Sequence, residues 1–226
     1  MPNWCYNSLC VSGNEEKLAD FVSKTIIPND MSSETDYNEE HKFTFNILHP
    51  LPKALEGTTS PLRKLEGETE EQYKERMAEN VRLYGAEDWY RWQLDNWGTK
   101  WDATHTQVEQ LDSSCLFVRF DTAWSPPTEW YLKIFKMYPE LTFEVVVGEE
   151  SQAYCGKMVA TGGEIVFDES GDYLYQDEDG KEVKYNRKEE RWQYVDTEEL
   201  IMDQDFWPVD INPYDDVNSL LRTLIF

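Results

Sequence analysis

Residues 115–148 read "CLFVRFDTAWSPPTEWYLKIFKMYPELTFEVVVG" and predict a strand, a helix and a second strand in succession. Alternate residues from Leu116 to Phe120 are apolar, which is typical of a strand with one buried face. Ser125, followed by two prolines, predicts a capped helix start, and Pro139 predicts the end of that helix. A further alternating run, Leu141 to Val147, predicts the next strand.

The flanking sequence extends this unit in both directions. Residues 104–110 are mostly polar and predict an edge strand paired with the strand at 115, and residues 4–11 predict a first strand, followed by a helix that ends at Pro28. The order strand, helix, strand, strand, helix, strand is the ferredoxin-like plan, an α+β fold in which two helices cover one face of an antiparallel sheet. Residues 152–161 predict one more strand at the sheet edge.

A long insertion, about residues 27–100, separates the first helix from the second strand, and a connection of this length should contain structure of its own. The segment "KFTFNIL" (42–48) predicts a short strand, and residues 68–84 and 86–97 predict two helices. We therefore expect a ferredoxin-like domain over residues 1–161 with a helical insertion.

Beyond Gly162 the composition changes to acidic and aromatic runs separated by turn dipeptides. Residues 162–226 predict an acidic β-meander that ends in a short helix, packed on or beside the first domain.

Three ordered stretches carry a resemblance to a known family: "MPNWCYNSLCVSG" (1–13), "NWGTKWDA" (96–103) and "FDTAWSPP" (120–127). Over about residues 1–160 the chain resembles the YubB ferredoxin-like family of uncharacterised proteins carried by bacteriophages and plasmids. The resemblance implies a ferredoxin-like domain and a bacterial mobile-element setting. It implies no catalytic residues, and residues 162–226 fall outside it.

The charge is strongly negative. The chain has 45 acidic and 21 basic residues, a net charge of −24, and its last 65 residues contain half of the excess. Such a field repels nucleic acids and anionic membranes and attracts cations. We expect the partner to be a basic host protein, a nucleic-acid-binding or defence complex, and we expect direct binding neither to nucleic acid nor to a membrane.

Several classes of chemistry lack their sequence patterns. The four cysteines form no metal-binding or secreted spacing, and no signal peptide or apolar span is predicted, so we expect reduced thiols in the bacterial cytoplasm. The three histidines belong to no triad motif, the acidic cluster near "DEDG" does not match a calcium loop, and no glycine-rich phosphate loop is present. The sequence thus predicts no catalytic residue, metal or cofactor.

The first functional hypothesis is a non-enzymatic interaction protein, a host-defence antagonist of the anti-restriction or anti-CRISPR type that occupies a basic nucleic-acid-binding site by DNA mimicry. Acidity that serves only solubility is the simpler interpretation. The acidic surface proposed for partner binding consists of Glu164, Asp168, Glu169, Asp172, Asp177, Glu178, Asp179, Glu182, Asp203 and Asp205.

The alternative hypothesis is a small-molecule-binding protein or an unrecognised enzyme, with a pocket between the insertion helices and the sheet. The same residues also fit a packed junction in which the tryptophans are core and Lys100 pairs with a carboxylate. The predicted pocket residues are Trp97, Lys100, Trp101, Asp102, Asp121 and Trp124.

Overall fold

The computed structural model describes residues 3–28, 41–149, 155–171, 175–176, 181–186, 191–194, 196–201 and 207–208. Its first part contains β1 (Trp4–Gly13), α1 (Glu15–Thr25), β2 (Ile26–Pro28), β3 (His41–Phe43), α2 (Glu70–Tyr84), α3 (Trp89–Trp97), β4 (Thr104–Asp112) and β5 (Cys115–Ala123). These are followed by α4 (Thr128–Met137), β6 (Leu141–Glu149), β7 (Cys155–Thr161), β8 (Glu164–Gly171), β9 (Tyr175–Gln176), β10 (Glu182–Asn186), β11 (Arg191–Tyr194) and β12 (Trp207–Pro208).

The main sheet has six antiparallel strands in the order β4-β5-β1-β6-β7-β8. Its central strand, β1, pairs with β5 on one side and β6 on the other, so that Leu9 lies opposite both Val118 and Val145. The four strands β4-β5-β1-β6 have the ferredoxin-like order. The predicted α+β fold with an antiparallel sheet is therefore confirmed, and β7 extends its edge as expected.

The core lies on the face of the sheet that α1 and α4 cover. Phe21 of α1 and Trp130 of α4 are fully buried, with ring centroids 6.5 Å apart, and Phe21 also contacts Phe143 of β6 edge to face at 5.8 Å. Aromatic rings in such tilted and edge-on arrangements add to the free energy gained from apolar burial. The apolar stripes of the two helices thus pack on the alternating residues of the strands.

The start of α4 differs from its prediction. The helix begins at Thr128, with Pro127 as its N-terminal cap and no side-chain hydrogen bond at that cap. Ser125 lies too far upstream to cap it, and its hydroxyl instead donates to the carbonyl of Gly98 at 2.7 Å. This serine therefore ties the end of α3 to the start of α4.

The insertion contains α2, α3 and the short β2–β3 pair. The strand predicted at 42–48 ends at Phe43 because the carboxylate of Asp102 binds the following turn: it accepts the backbone N–H of Phe45 at 2.8 Å and the hydroxyl of Thr44. The two helices begin later than predicted, because Thr69 caps α2 through a capping box and Asp88 caps α3.

The predicted boundary between residues 161 and 162 falls in the turn between β7 and β8, and β8 continues the main sheet to Gly171. Farther along the chain, β9 to β12 form a second sheet in the order β11-β10-β9-β12. The predicted C-terminal helix lies outside the described residues, and the division of the chain into two domains stays a prediction. Among the described helices, none combines the length and apolar composition needed to span a bilayer.

Substitution of Gly98 by alanine tests the junction between α3 and α4. Gly98 ends α3 with φ of 84°, and a Cβ there would lie 2.9 Å from the backbone nitrogen of Thr128. We expect Gly98→Ala to lower the free energy of unfolding by about 3 kcal/mol, since conformational strain and steric overlap add. The measurement is urea denaturation followed by circular dichroism.

The matched control is Gly85→Ala, at the equivalent end of α2. Gly85 has φ of 77°, but nothing lies within 4 Å of its virtual Cβ, so only the strain of about 1 kcal/mol is expected. Equal losses in the two variants would contradict the close approach of α4 to Gly98.

Candidate functional site

Side chains from the three sequence motifs meet at one corner of the main sheet. Trp4 begins β1, Lys100 and Trp101 follow α3, and Trp124 follows β5. The rings of Trp4 and Trp101 are 6.3 Å apart, and the Nζ of Lys100 lies 4.5 Å from the ring of Trp101 and 4.8 Å from that of Trp124. We call these four residues the tryptophan surface.

The ammonium group of Lys100 is held by aromatic rings. Tyr90 of α3 supplies a third ring, at 5.9 Å from Nζ, and no described carboxylate forms an ion pair with this lysine. Each cation–π contact at an exposed site contributes about 0.5–1 kcal/mol. Trp101 and Trp124 are 38% and 44% exposed, so the two indoles hold the cation at the protein surface.

The backbone at this corner adopts conformations that L-residues rarely take. Trp124 has φ of 69° and His105 has φ of 49°, and together with Glu198 they are the described non-glycine residues with positive φ. The left-handed region costs a bulky residue about 1–2 kcal/mol, and such strain is concentrated at functional sites. The N–H of Trp124 donates to the carbonyl of Asn3 at 2.9 Å, which fixes this bend against the start of β1.

A histidine–carboxylate pair supports the same corner. His105 Nδ1 and Asp121 Oδ2 are 2.8 Å apart, and the imidazole contacts the ring of Trp4 edge to face at 5.3 Å. The pair connects β4 to β5 beside the tryptophan surface and orients Trp4.

Two predicted pocket residues lie elsewhere. Trp97 is 2% exposed, its indole N–H donates to the carbonyl of His49 at 2.9 Å, and its ring packs against Phe45 at 5.7 Å. Asp102 binds the turn after β3. Burial raises the pKa of its carboxyl group, and the hydrogen bonds that stabilise its charged form act in the opposite direction. The structure thus brings Lys100, Trp101 and Trp124 together, with Asp121 beside them.

The sequence prediction missed Trp4, Tyr90 and His105 as members of this corner. Trp4 carried a signal, because it stands in the first motif at the start of a predicted strand. Tyr90 carried none, since it is one of four aromatic residues in a short helix and only the folded chain shows which of them reaches Lys100.

A second polar cluster joins the insertion to α4. The Nζ of Lys133 lies 2.6 Å from His49 Nε2, and it donates to the side-chain oxygen of Asn96 at 3.0 Å and to the Asn96 carbonyl at 3.3 Å. His49 Nε2 also lies 3.0 Å from the side-chain oxygen of Asn96. Because an ammonium group only donates, the shorter contact with Lys133 requires a neutral imidazole that accepts through Nε2. Burial, the largest cause, lowers the pKa values of both His49 and Lys133.

The predicted acidic surface is described only in part. Glu164 and Asp168 have exposed side chains on β8. For Glu169 on β8 and Glu182 on β10, the structure describes the backbone only. The other members, Asp172, Asp177, Glu178, Asp179, Asp203 and Asp205, lie outside the described residues. Within the described ranges, no group of three or more His, Cys, Asp or Glu side chains has a geometry suited to a metal ion.

A cavity of about 290 Å³ lies between the start of α4 and strands β6 to β8, on the other side of the sheet's centre from the tryptophan surface. Its wall is mostly apolar, with Val145, Val147 and Met158, and Asp168 lies at its rim among the polar residues. It does not coincide with the predicted pocket beside the insertion helices.

The neutral state of His49 predicts a pH dependence of stability. Since its pKa is lower in the folded protein than the usual value of about 6.5, the unfolded chain binds the proton first as the pH falls. Stability from this group is therefore present above about pH 6.5 and is lost below it. We expect the free energy of unfolding to fall more steeply between about pH 6.5 and 5 than in His49→Gln. Urea denaturation at each pH gives these free energies. If they depended on pH in the same way in the wild type and in His49→Gln, a buried neutral imidazole would be excluded.

One comparison with known proteins, the match to a family model, agrees with the fold. Residues 96–196 match a family model described as the ferredoxin-like domain in Api92-like protein. A crystal structure of the protein api92 from Yersinia pseudotuberculosis aligns at 10% identity and a TM-score of 0.43, over 76% of this chain and 98% of that chain. A comparison with curated proteins finds no match. The chain therefore contains a ferredoxin-like domain, and residues 96–196 are similar to that domain of Api92-like proteins.

Proposed function

We propose that this chain is a non-enzymatic interaction protein that binds a basic partner through the acidic edge of its main sheet. The observation that carries the proposal is the surface of the edge strand β8. Glu164 and Asp168 flank three exposed apolar side chains, Ile165, Val166 and Phe167, at 38%, 61% and 42% exposure. Unpaired edge strands with apolar side chains are sites of pairing with another chain, and carboxylates beside them select a cationic one.

The distribution of positive charge supports a basic partner. Many lysine and arginine side chains of the described residues form ion pairs with carboxylates, among them Lys17, Lys24, Lys64, Lys74, Arg76, Arg82 and Arg91. The least exposed of these pairs joins Arg76 to Glu68, and the hydrogen bond from the guanidinium group lowers the pKa of Glu68 to about 2. With many cations paired internally, the surplus of acidic residues in a chain of net charge −24 sets the long-range field.

The same charge disfavours nucleic acid as the ligand. Aromatic residues on ferredoxin-like sheets can stack on RNA bases, but the phosphates then need unpaired cations nearby. A row of carboxylates instead resembles the phosphates of a duplex, so it competes for basic grooves. We therefore propose that the chain is a host-defence antagonist of the anti-restriction or anti-CRISPR type and that it acts by DNA mimicry. The resemblance of the three motifs to the YubB family implies, as part of this proposal, a bacteriophage or plasmid setting and the bacterial cytoplasm.

Affinity capture from a bacterial lysate tests the proposal when duplex DNA is the competitor. We expect the wild-type chain to retain basic DNA-binding proteins at about 50 mM salt and to lose most of them at about 200 mM, since the contacts are screened. Added duplex DNA should release the same proteins. The variant Glu164→Gln/Asp168→Asn should retain at least about fivefold less, because two charges leave the binding edge.

The matched control is Glu56→Gln/Glu66→Gln, which removes the same charge from exposed positions in the insertion. This variant should behave like wild type. Equal losses in both double variants would show a non-specific charge effect, and retention that neither salt nor duplex DNA changes would exclude mimicry.

A second candidate function is small-molecule binding at the tryptophan surface. The observation that favours it is the pair of exposed indoles, Trp101 and Trp124, on either side of Lys100. The backbone of Trp124 has the left-handed conformation, which fixes the position of its indole. An anionic aromatic ligand would stack on an indole and place its negative charge beside the ammonium group. Under this hypothesis the acidic edge serves solubility.

Titration with the anionic aromatic probe 1-anilinonaphthalene-8-sulfonate tests the second candidate. We expect a saturable site that Lys100→Met weakens about tenfold and that Lys100→Arg preserves, since arginine keeps both the charge and the ring contacts. Lys53→Met, which removes an exposed lysine elsewhere in the insertion, is the control. Equal affinity of Lys100→Met and wild type would exclude this site.

A further inference from the structure

The face of the main sheet opposite the helices carries two cysteines that are close in space and distant in sequence. Cys10 of β1 lies opposite Phe117 of β5, and Cys115 lies opposite Ser12, so the two cysteines are diagonal neighbours on adjacent strands. Their sulfur atoms are 3.8 Å apart, although 105 positions separate them in the chain. They form a pair of free thiols within contact distance.

The two thiols differ in access to solvent. Cys10 is 6% exposed and packs with Phe117 and Val146, whereas Cys115 is partly exposed at the rim of this small cluster. The guanidinium of Arg119 lies over the ring of Phe117 at 4.9 Å and helps to cover the cluster. A reagent in solution therefore reaches Cys115 first, and Cys10 is placed to react only with its neighbour.

The electrostatic environment assigns the same order. A hydrogen bond between the two thiols lowers the pKa of Cys115 and, as the largest cause, raises that of Cys10. The carboxylates of Asp112 and Glu144 act in the opposite direction on Cys115, because negative charge disfavours a thiolate. When the pair loses a proton, the thiolate therefore forms on the more exposed Cys115, and the Cys10 S–H donates to it.

The backbone allows the sulfurs to approach further. A disulfide requires an S–S distance of about 2.05 Å, so one side must move. Cys10 lies in the middle of the central strand, whereas Cys115, which pairs with Ser12 and Asp112, is the first residue of β5, directly after the Ser113–Ser114 turn. The register is irregular between Gln110 and Asp112 on the partner strand. The closing movement thus occurs at the Cys115 end of the hairpin.

We propose that Cys10 and Cys115 form a redox-active dithiol whose oxidant is a low-molecular-weight disulfide. The Cys115 thiolate attacks one sulfur of that disulfide and forms a mixed disulfide, and one thiolate leaves. The Cys10 thiol then loses its proton and attacks the Cys115 sulfur, which forms the intramolecular bond and releases the second thiol. The protein loses two protons and two electrons, and the small disulfide takes them up as it is reduced to two thiols.

Oxidised glutathione is the probe that tests this modification. After incubation with it, the wild-type chain should lose the mass of two hydrogens, and peptide mapping without reduction should join Cys10 to Cys115. Cys10→Ser should stop at the mixed disulfide on Cys115, because the resolving thiol is missing. Cys115→Ser should react at least about tenfold more slowly, since Cys5 and Cys10 are buried and Cys155 lies away from the pair on β7.

Cys155→Ser is the control, because Cys155 lies on β7 away from the pair, and this variant should form the internal bond at the wild-type rate. Circular dichroism of each variant separates loss of reactivity from loss of folding. A stable mixed disulfide in the wild type, or an internal bond that involves Cys155, would overturn the proposal. Neither result depends on partner binding at β8, so the test is independent of the proposed function.

Discussion

The position of α4 on the main sheet depends on one buried side chain, Asn7 of β1. Its amide nitrogen donates to the carbonyl of Cys5 and to the hydroxyl of Thr122, both at 2.9 Å, and its oxygen accepts the hydroxyl of Tyr131 at 3.1 Å. A buried amide that lost these partners would cost about 1–3 kcal/mol for each unsatisfied group. The asparagine is fully buried, so β1, β5 and α4 have one relative position in which its hydrogen bonds are all made.

This constraint explains how the three sequence motifs act together. Their polar residues join one motif to the next: Thr122 binds Asn7, Thr99 donates to the carbonyl of Ala123 at 3.0 Å, and Ser125 donates to that of Gly98. With the backbone fixed in this way, Trp101 and Trp124 remain on the surface. Each motif thus contains buried or hydrogen-bonded residues that fix the backbone, and the fixed backbone determines where the exposed tryptophans lie.

Alternating apolar residues predicted the buried strands of the ferredoxin-like domain, and apolar residues at helical spacing predicted its helices, because each of these elements buries one face. It was not sufficient for residues whose partners are distant in sequence. Asp102 stands between tryptophan and alanine in a motif rich in aromatic residues, yet it binds a turn 58 positions earlier. Trp97 and Trp101 are one helical turn apart, but α3 ends at Gly98, so the first is core and the second is surface. Composition alone does not distinguish them.

The two candidate binding regions are independent of each other because the sheet order separates them. The tryptophan surface lies at the ends of β1 and β5, and the acidic edge lies on β8, four strands from β5. At a spacing of about 4.8 Å between neighbouring strands, β5 and β8 are about 19 Å apart. This distance exceeds the screening length of about 8 Å in physiological salt and the range over which substitutions couple. Charge changes on β8 therefore leave the ring contacts of Lys100 intact, and effects of substitutions in the two regions add.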